Sequence, residues 1–281
     1  MTAVAASAGI AGPHPAWRSL SWLIPPTVLW LVLIYWQPFI PASGVPTSAH
    51  QLMAHGLIAV GLWLGLESTD MTPSQRRATW LAIMIPDTLW LAVAWSAAIN
   101  GAFITGASPL PLLPLAILLP VIIGAPLLLL SKRVGQVLDA MPASWLVALQ
   151  LYRVFGGWAL AAWLRGTLPG VFALPAGIGD VLTGLLAVPA AIAVATGTAQ
   201  GRRAAMIWNI LGLADFAVAI TLGMVTSPGR LQLIVPHLPS IGAGVYPNVL
   251  TPAFVVPSSI LLHALSLRQL RRRAQAEAAQ R

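Results

Sequence analysis

From residue 110 to residue 131 the chain carries no charged side chain, and stretches of this apolar kind recur along its length. A helix needs about 20 mostly apolar residues to cross roughly 30 Å of hydrocarbon. In that medium a backbone can satisfy its own hydrogen bonds only as a helix or a closed barrel. Segments of the required length fall near 19–40, 49–67, 78–103, 110–131, 142–164, 171–196, 204–226 and 249–267. The expected architecture is therefore an all-α, polytopic transmembrane helix bundle of about eight spans. Charged residues make up only 8% of the chain and hydrophobic residues 58%. A soluble domain carries about 25% charged residues, so too few are present to wet the surface of a globule this size. Lipid is the expected solvent for most of the surface, and the bilayer the first expected partner.

The basic residues test the count independently, because cytoplasmic loops are enriched in Lys and Arg. With the N-terminus inside, Arg18, Arg76, Arg77, Lys132, Arg133, Arg202, Arg203, Arg268, Arg271, Arg272, Arg273 and Arg281 fall on one side. That is 12 of the 15 basic residues; only Arg165 and Arg230 fall on the other side, and Arg153 lies within a span. Seven or nine spans would scramble this alternation. Both termini are expected in the cytoplasm, with residues 1–18 as a disordered leader lacking signal-peptide features. The bundle then occupies 19–267, and 268–281 form a basic tail that continues as a polar helix against anionic headgroups.

The net charge of +8 is explained by these topology signals, and no basic surface interleaved with aromatics suggests nucleic acid. Without cysteine there are no disulfides or thiolate metal sites, and no cofactor or metal is expected. Prolines inside the spans, among them Pro86, Pro120, Pro175 and Pro257, predict kinks. Gly61 and Gly65 form a small-xxx-small pair suited to close helix contact. Arg-Arg-Ala recurs at 76–78 and 202–204, each time before a span with a mid-helix Asp, as a tandem duplication of four helices would leave it.

Four ionisable residues fall at the depth where charge is most costly, about 2.5–3.5 kcal/mol on an insertion scale. They are Asp87, Arg153, Asp180 and Asp215, all within a turn or two of one depth and all expected to face the bundle interior. Residues three and four apart share a helix face. Gln150, Arg153 and Gly157 form one such stripe, Gly177, Asp180, Thr183 and Gly184 a second, and Asn209, Gly212 and Asp215 a third. One arginine could pair with one aspartate simply to fix register. It cannot neutralise three carboxylates, so at least one of them is expected to hold a proton or face water. The candidate substrate- or proton-binding residues are Arg153, Asp180, Asp215, Gln150 and Asn209, with Asp87 peripheral.

Other residues read as structural. His50 and His55 are five apart and point to different sides of their helix, and His55 and His263 fall in opposite leaflets, which does not suit bis-histidine haem ligation. His263, flanked by leucine, reads as a packing or hydrogen-bonding residue. Most of the 12 tryptophans lie near span ends, where interfacial anchoring explains them, while Trp30, Trp90, Trp158 and Trp208 lie deeper. The segment 227–248 is the longest outside loop, and its apolar stretch Leu231–Val235 suggests a short interfacial helix over an external mouth.

Four motifs, Gln150-Leu-Tyr-Arg153, Phe172 to Asp180, Trp208 to Asp215 and Thr251 to His263, resemble a group of uncharacterised bacterial multi-pass membrane proteins over residues 145–270. The resemblance implies a bacterial cytoplasmic (inner) membrane and carries no activity or catalytic residue. The function expected from the residues is a small proton-coupled transporter or channel-like protein acting on a small molecule or ion. Two alternatives stay open: an accessory or assembly subunit of a membrane complex, and a membrane enzyme acting on a lipid-like substrate. A homo-oligomer or a partner complex is compatible with each.

Overall fold

The computed structural model describes residues 45–104 and 107–279. The leader 1–18 and the first expected span, 19–40, lie outside the described residues, as do Trp30 and Arg281. All regular structure among the described residues is helical. The elements are α1 (Val45–Glu67), α2 (Pro73–Ile99), α3 (Leu112–Leu130), α4 (Lys132–Ala140), α5 (Ala143–Leu149), α6 (Gly157–Leu164), α7 (Gly170–Ala195), α8 (Ala199–Thr226) and α9 (Val256–Ala279). A 3-10 segment, Gln150–Gly156, joins α5 to α6, and a π-helical turn, Thr251–Val255, leads into α9. Counting α5 through α6 as one unit and the π turn with α9, seven helices among the described residues are long and apolar enough to cross a membrane. Each corresponds to one of the last seven expected spans.

Beside an apolar core, many large apolar side chains lie on the surface and several polar ones lie inside. Leu115, Leu119, Ile122 and Leu127 of α3 are exposed, as are Leu182, Leu185 and Ile192 of α7. Gln51, Gln150, Arg153, Asn209, Ser259, His263 and Gln269 are buried. At the centre α7 packs against α8 on one side and against α5, the 3-10 segment and α6 on the other, while α9 packs against α3, α5 and α8.

Local chemistry sets the helix ends. Thr72 caps α2 through a reciprocal box with Gln75, and Pro73 occupies the first turn, where a missing N–H costs nothing. Thr198 caps α8 by accepting from the Gly201 N–H at 3.1 Å. The expected third span, 78–103, stops at Ile99 because Gly101 turns the chain with φ +69°. Within α9, Pro257 has no N–H to offer the Ala253 carbonyl one turn back. The indole Nε1–H of Trp90 donates to that carbonyl at 2.9 Å, so a neighbouring helix repairs the break.

Two sequence expectations are corrected. Leu231–Val235 forms no helix; the loop instead carries a short 3-10 turn at Ser240–Gly244. Of the pair Gly61 and Gly65, Gly65 makes a close contact, with Val137 and Met141 around α4. The tail is helical to Ala279 as expected, but several of its side chains are engaged on protein rather than held free for headgroups. Arg268 donates to the carbonyls of Leu128 and Ser131, both at 3.0 Å, capping the end of α3. Arg273 donates to the Met141 carbonyl at 2.7 Å, Arg202 pairs with Glu277, and Arg272 with Asp139. The basic residues of α4, the start of α8 and the tail thus gather at one end of the bundle.

The hydrogen bond from Arg272 holds the Asp139 carboxyl below the usual carboxylate range. A depressed carboxyl stabilises the fold above its unfolded pKa, and that contribution is lost as pH falls through the depressed value. Both side chains are nearly half exposed, so the pair is worth about 1 kcal/mol or less. Asp139→Asn is therefore expected to lower the unfolding midpoint slightly at neutral pH, with the difference from wild type vanishing in acid. Titrating midpoint against pH for both proteins checks this.

Candidate functional site

The central polar cluster is built by four elements, each for a local reason. In the 3-10 segment three residues complete a turn, so side chains at i and i+3 eclipse. Gln150, Arg153 and Gly156 therefore align, and Gly156 takes the place expected of Gly157. The expected fifth span is thus continuous in length but changes helical pitch where its arginine sits.

Arg153 is 3% exposed, and all three of its nitrogens donate. Its Nε donates to Asp180 Oδ1 at 2.8 Å, and Nη2 lies 2.7 Å from the same oxygen. Nη2 also donates to Asp215 Oδ2. Nη1 reaches the Gly212 carbonyl at 3.3 Å and His263 Nε2 at 3.0 Å. The guanidinium lies over the Phe216 ring with its Cζ 3.8 Å from the ring centroid, a cation–π contact.

Because arginine only donates, His263 Nε2 must accept, which places the ring proton on Nδ1. Nδ1 then donates to Asn209 Oδ1 at 2.9 Å, and Asn209 Nδ2 donates to the Ala205 carbonyl at 2.8 Å and to Ser266 Oγ at 3.0 Å. The network fixes the imidazole in one tautomer and one orientation.

Glycines let the chains approach this closely. A Cβ on Gly156 would run into the Asp180 Cβ, and one on Gly179 into Asp215 Oδ1. A Cβ on Gly212 would lie 2.5 Å from the His263 ring and 3.0 Å from Arg153 Nη1. Gly184 stands against the Val154 backbone nitrogen in the same way. The glycine-bearing stripes of the sixth and seventh expected spans do face inward, against the residues they serve.

Asp180, Asp215 and Arg153 are brought together, and Asn209 joins them through His263. Gln150 sits one turn away, its Nε2 donating to the Ser259 carbonyl at 2.9 Å. Tyr152 OH shares a 2.7 Å bond with Ser259 Oγ. Asp87 is not part of the cluster. It pairs with His55, Nδ1 to Oδ2 2.8 Å, and His55 Nε2 lies 3.3 Å from Thr88 Oγ1. Asp87 borders a separate apolar cavity of about 400 Å³ with Pro86, Trp90 and Trp145.

His263 is the member that sequence reasoning missed. A signal was present: Ser259, His263 and Ser266, spaced by four and three, mark one polar face of α9. All three are buried. Of the deeper tryptophans, Trp208 donates to the Thr183 carbonyl at 3.0 Å, while Trp158 lines a cavity.

That cavity, of about 580 Å³, runs from Gly156 and Asp180 at the middle of the bundle to the loops following α2 and α8. It therefore opens at the end opposite the α4 and tail arginines. Trp158, Phe172, Phe216 and Ala219 are among the residues of its wall. Side-chain exposure is 22% for Asp180, 11% for Asp215 and 1% for Arg153. Phe216 covers the guanidinium from the cavity side, so the space meets carboxylate rather than cation.

No curated protein and no solved structure matches the chain. One family does match, that of a domain of unknown function (DUF8737), over residues 110–271. The match contains the stretch 145–270 singled out from the sequence and extends it through α3. Since it covers more than half of the chain and every member of the Arg153 cluster, the chain belongs to the family of the domain of unknown function DUF8737.

Proposed function

We propose that the protein is a multi-pass protein of the bacterial cytoplasmic membrane and a small proton-coupled transporter working at the Arg153, Asp180 and Asp215 cluster. The apolar exterior supports insertion in lipid. The gathering of Lys132, Arg133, Arg202, Arg268 and Arg272 at one end supports a cytoplasmic assignment for that end. On this reading the N-terminus is also cytoplasmic and the 580 Å³ cavity opens outward.

One observation carries the functional reading. A single buried guanidinium is shared by two carboxylates, and one of these reaches a cavity. The trio holds one negative charge too many for a low-dielectric interior, and a proton or a bound cation would cancel it. Proton binding at the cluster and ligand entry from the cavity are then competing ways to neutralise the same site, which is the basis of coupled exchange.

Asp180→Asn and Asp215→Asn each remove the surplus charge while keeping an oxygen for Arg153, so the protein is expected to fold and insert. Each is expected to abolish proton exchange by the protein in liposomes carrying a trapped pH indicator. Wild-type proton flux in both variants would refute the reading.

A further inference from the structure

We propose that the ligand taken by the 580 Å³ cavity is a hydrophobic organic cation, its charge seated on Asp180 and its apolar body against Trp158, Phe172 and Phe216. The inference rests on the transporter reading above and names the substrate class for that same site.

Four observations select this chemistry. The volume of about 580 Å³ lies within the range of small-molecule pockets, about 300–1,000 Å³. The wall is predominantly apolar and includes Phe103, Trp158, Phe172 and Phe216, which favours burial of carbon surface over hydrated ions. Aromatic faces attract cations as well as apolar groups. The charge presented to the cavity is negative: Asp180 has a 22% exposed side chain, whereas Arg153 is 1% exposed behind Phe216. Asp180 engages Arg153 through Oδ1, and no hydrogen bond is made by Oδ2 among the described residues, so that oxygen is available to a ligand. An inorganic cation would leave the aromatic wall unused, and an anion would meet a site already one negative charge in excess. The other charged lining residue, Arg230, is exposed at the loop end, where solvent screens it.

Two probes of the same shape and opposite charge test the proposal on the purified full-length protein. Tetraphenylphosphonium and tetraphenylborate are titrated separately by calorimetry at pH 8, in two buffers of different ionisation enthalpy. Saturable binding of the phosphonium is expected, at least tenfold tighter than the borate, with proton release visible as a buffer-dependent heat. Trp158→Ala is expected to weaken the phosphonium tenfold, and Asp180→Asn to remove the preference for positive charge. Equal binding of the two probes, preference for the borate, or no phosphonium binding overturns the proposal. These wild-type comparisons decide it even if a variant fails to fold. Proton flux in liposomes without phosphonium binding would sink the substrate class and leave the transporter reading standing; absence of both would sink both.

Discussion

Replacing Arg153 by methionine is expected to cost the folded protein about 3–5 kcal/mol, the usual penalty for removing one partner of a buried ion pair. The side chain is 1% exposed, and Nε, Nη1 and Nη2 all donate hydrogen bonds. Methionine would fill much of the space but leave Asp180, Asp215, the Gly212 carbonyl and His263 Nε2 without their donor. The two carboxylates would also face each other with nothing positive between them. Adding Asp180→Asn and Asp215→Asn to Arg153→Met is expected to recover a large part of the loss, because an uncompensated charge costs more than a missing neutral hydrogen bond. Unfolding midpoints for the single, double and triple variants in one detergent check the sequence of effects. A single variant as stable as wild type would show that the cluster carries no such burden.

Gly156→Ala is expected to be among the most damaging of the small substitutions. The added methyl would overlap the Asp180 Cβ, which is fixed to the α7 backbone and cannot rotate away. The 3-10 segment and α7 must then separate, at a cost of about 1–3 kcal/mol for overpacking. The shift would also pull Asp180 from Arg153, so stability and proton exchange should fall together. Gly223→Ala is the contrasting case. Its Cβ would lie 3.4 Å from Phe172, an ordinary contact, and alanine is the better helix former by about 1 kcal/mol. Thermal unfolding of the two variants is expected to move in opposite directions or to separate clearly. Equal midpoints would mean that the junction between the 3-10 segment and α7 yields easily.

Much of the candidate site could be read before the fold was known. Arg153, Asp180 and Asp215 stand out because charge is costly inside an apolar helix, and their glycine-flanked stripes indicated which faces turn inward. The contacts made by Gly184 and Gly212 agree with that orientation. Asp87 shows where depth ceases to inform. Its place along the span puts it at the expected level of the other charges, but α1 supplies His55 as its partner, and a linear sequence gives no azimuth relating α2 to α7. His263 shows the converse. A histidine among leucines gives little apolar periodicity to follow, and only its contact with Arg153 and Asn209 sets it within the cluster.

Apolar length by itself determined the all-helical class and the position of the last seven long helices, since every backbone N–H and C=O in such a stretch is best satisfied inside its own helix. That rule acts locally and needs no partner. Tertiary packing alone decided the change of pitch at Gln150–Gly156, the π turn before α9 and the choice of Asp180 and Asp215 over Asp87. Those depend on how helices rotate and slide against one another, and the energies that set rotation come from contacts between residues far apart in the chain.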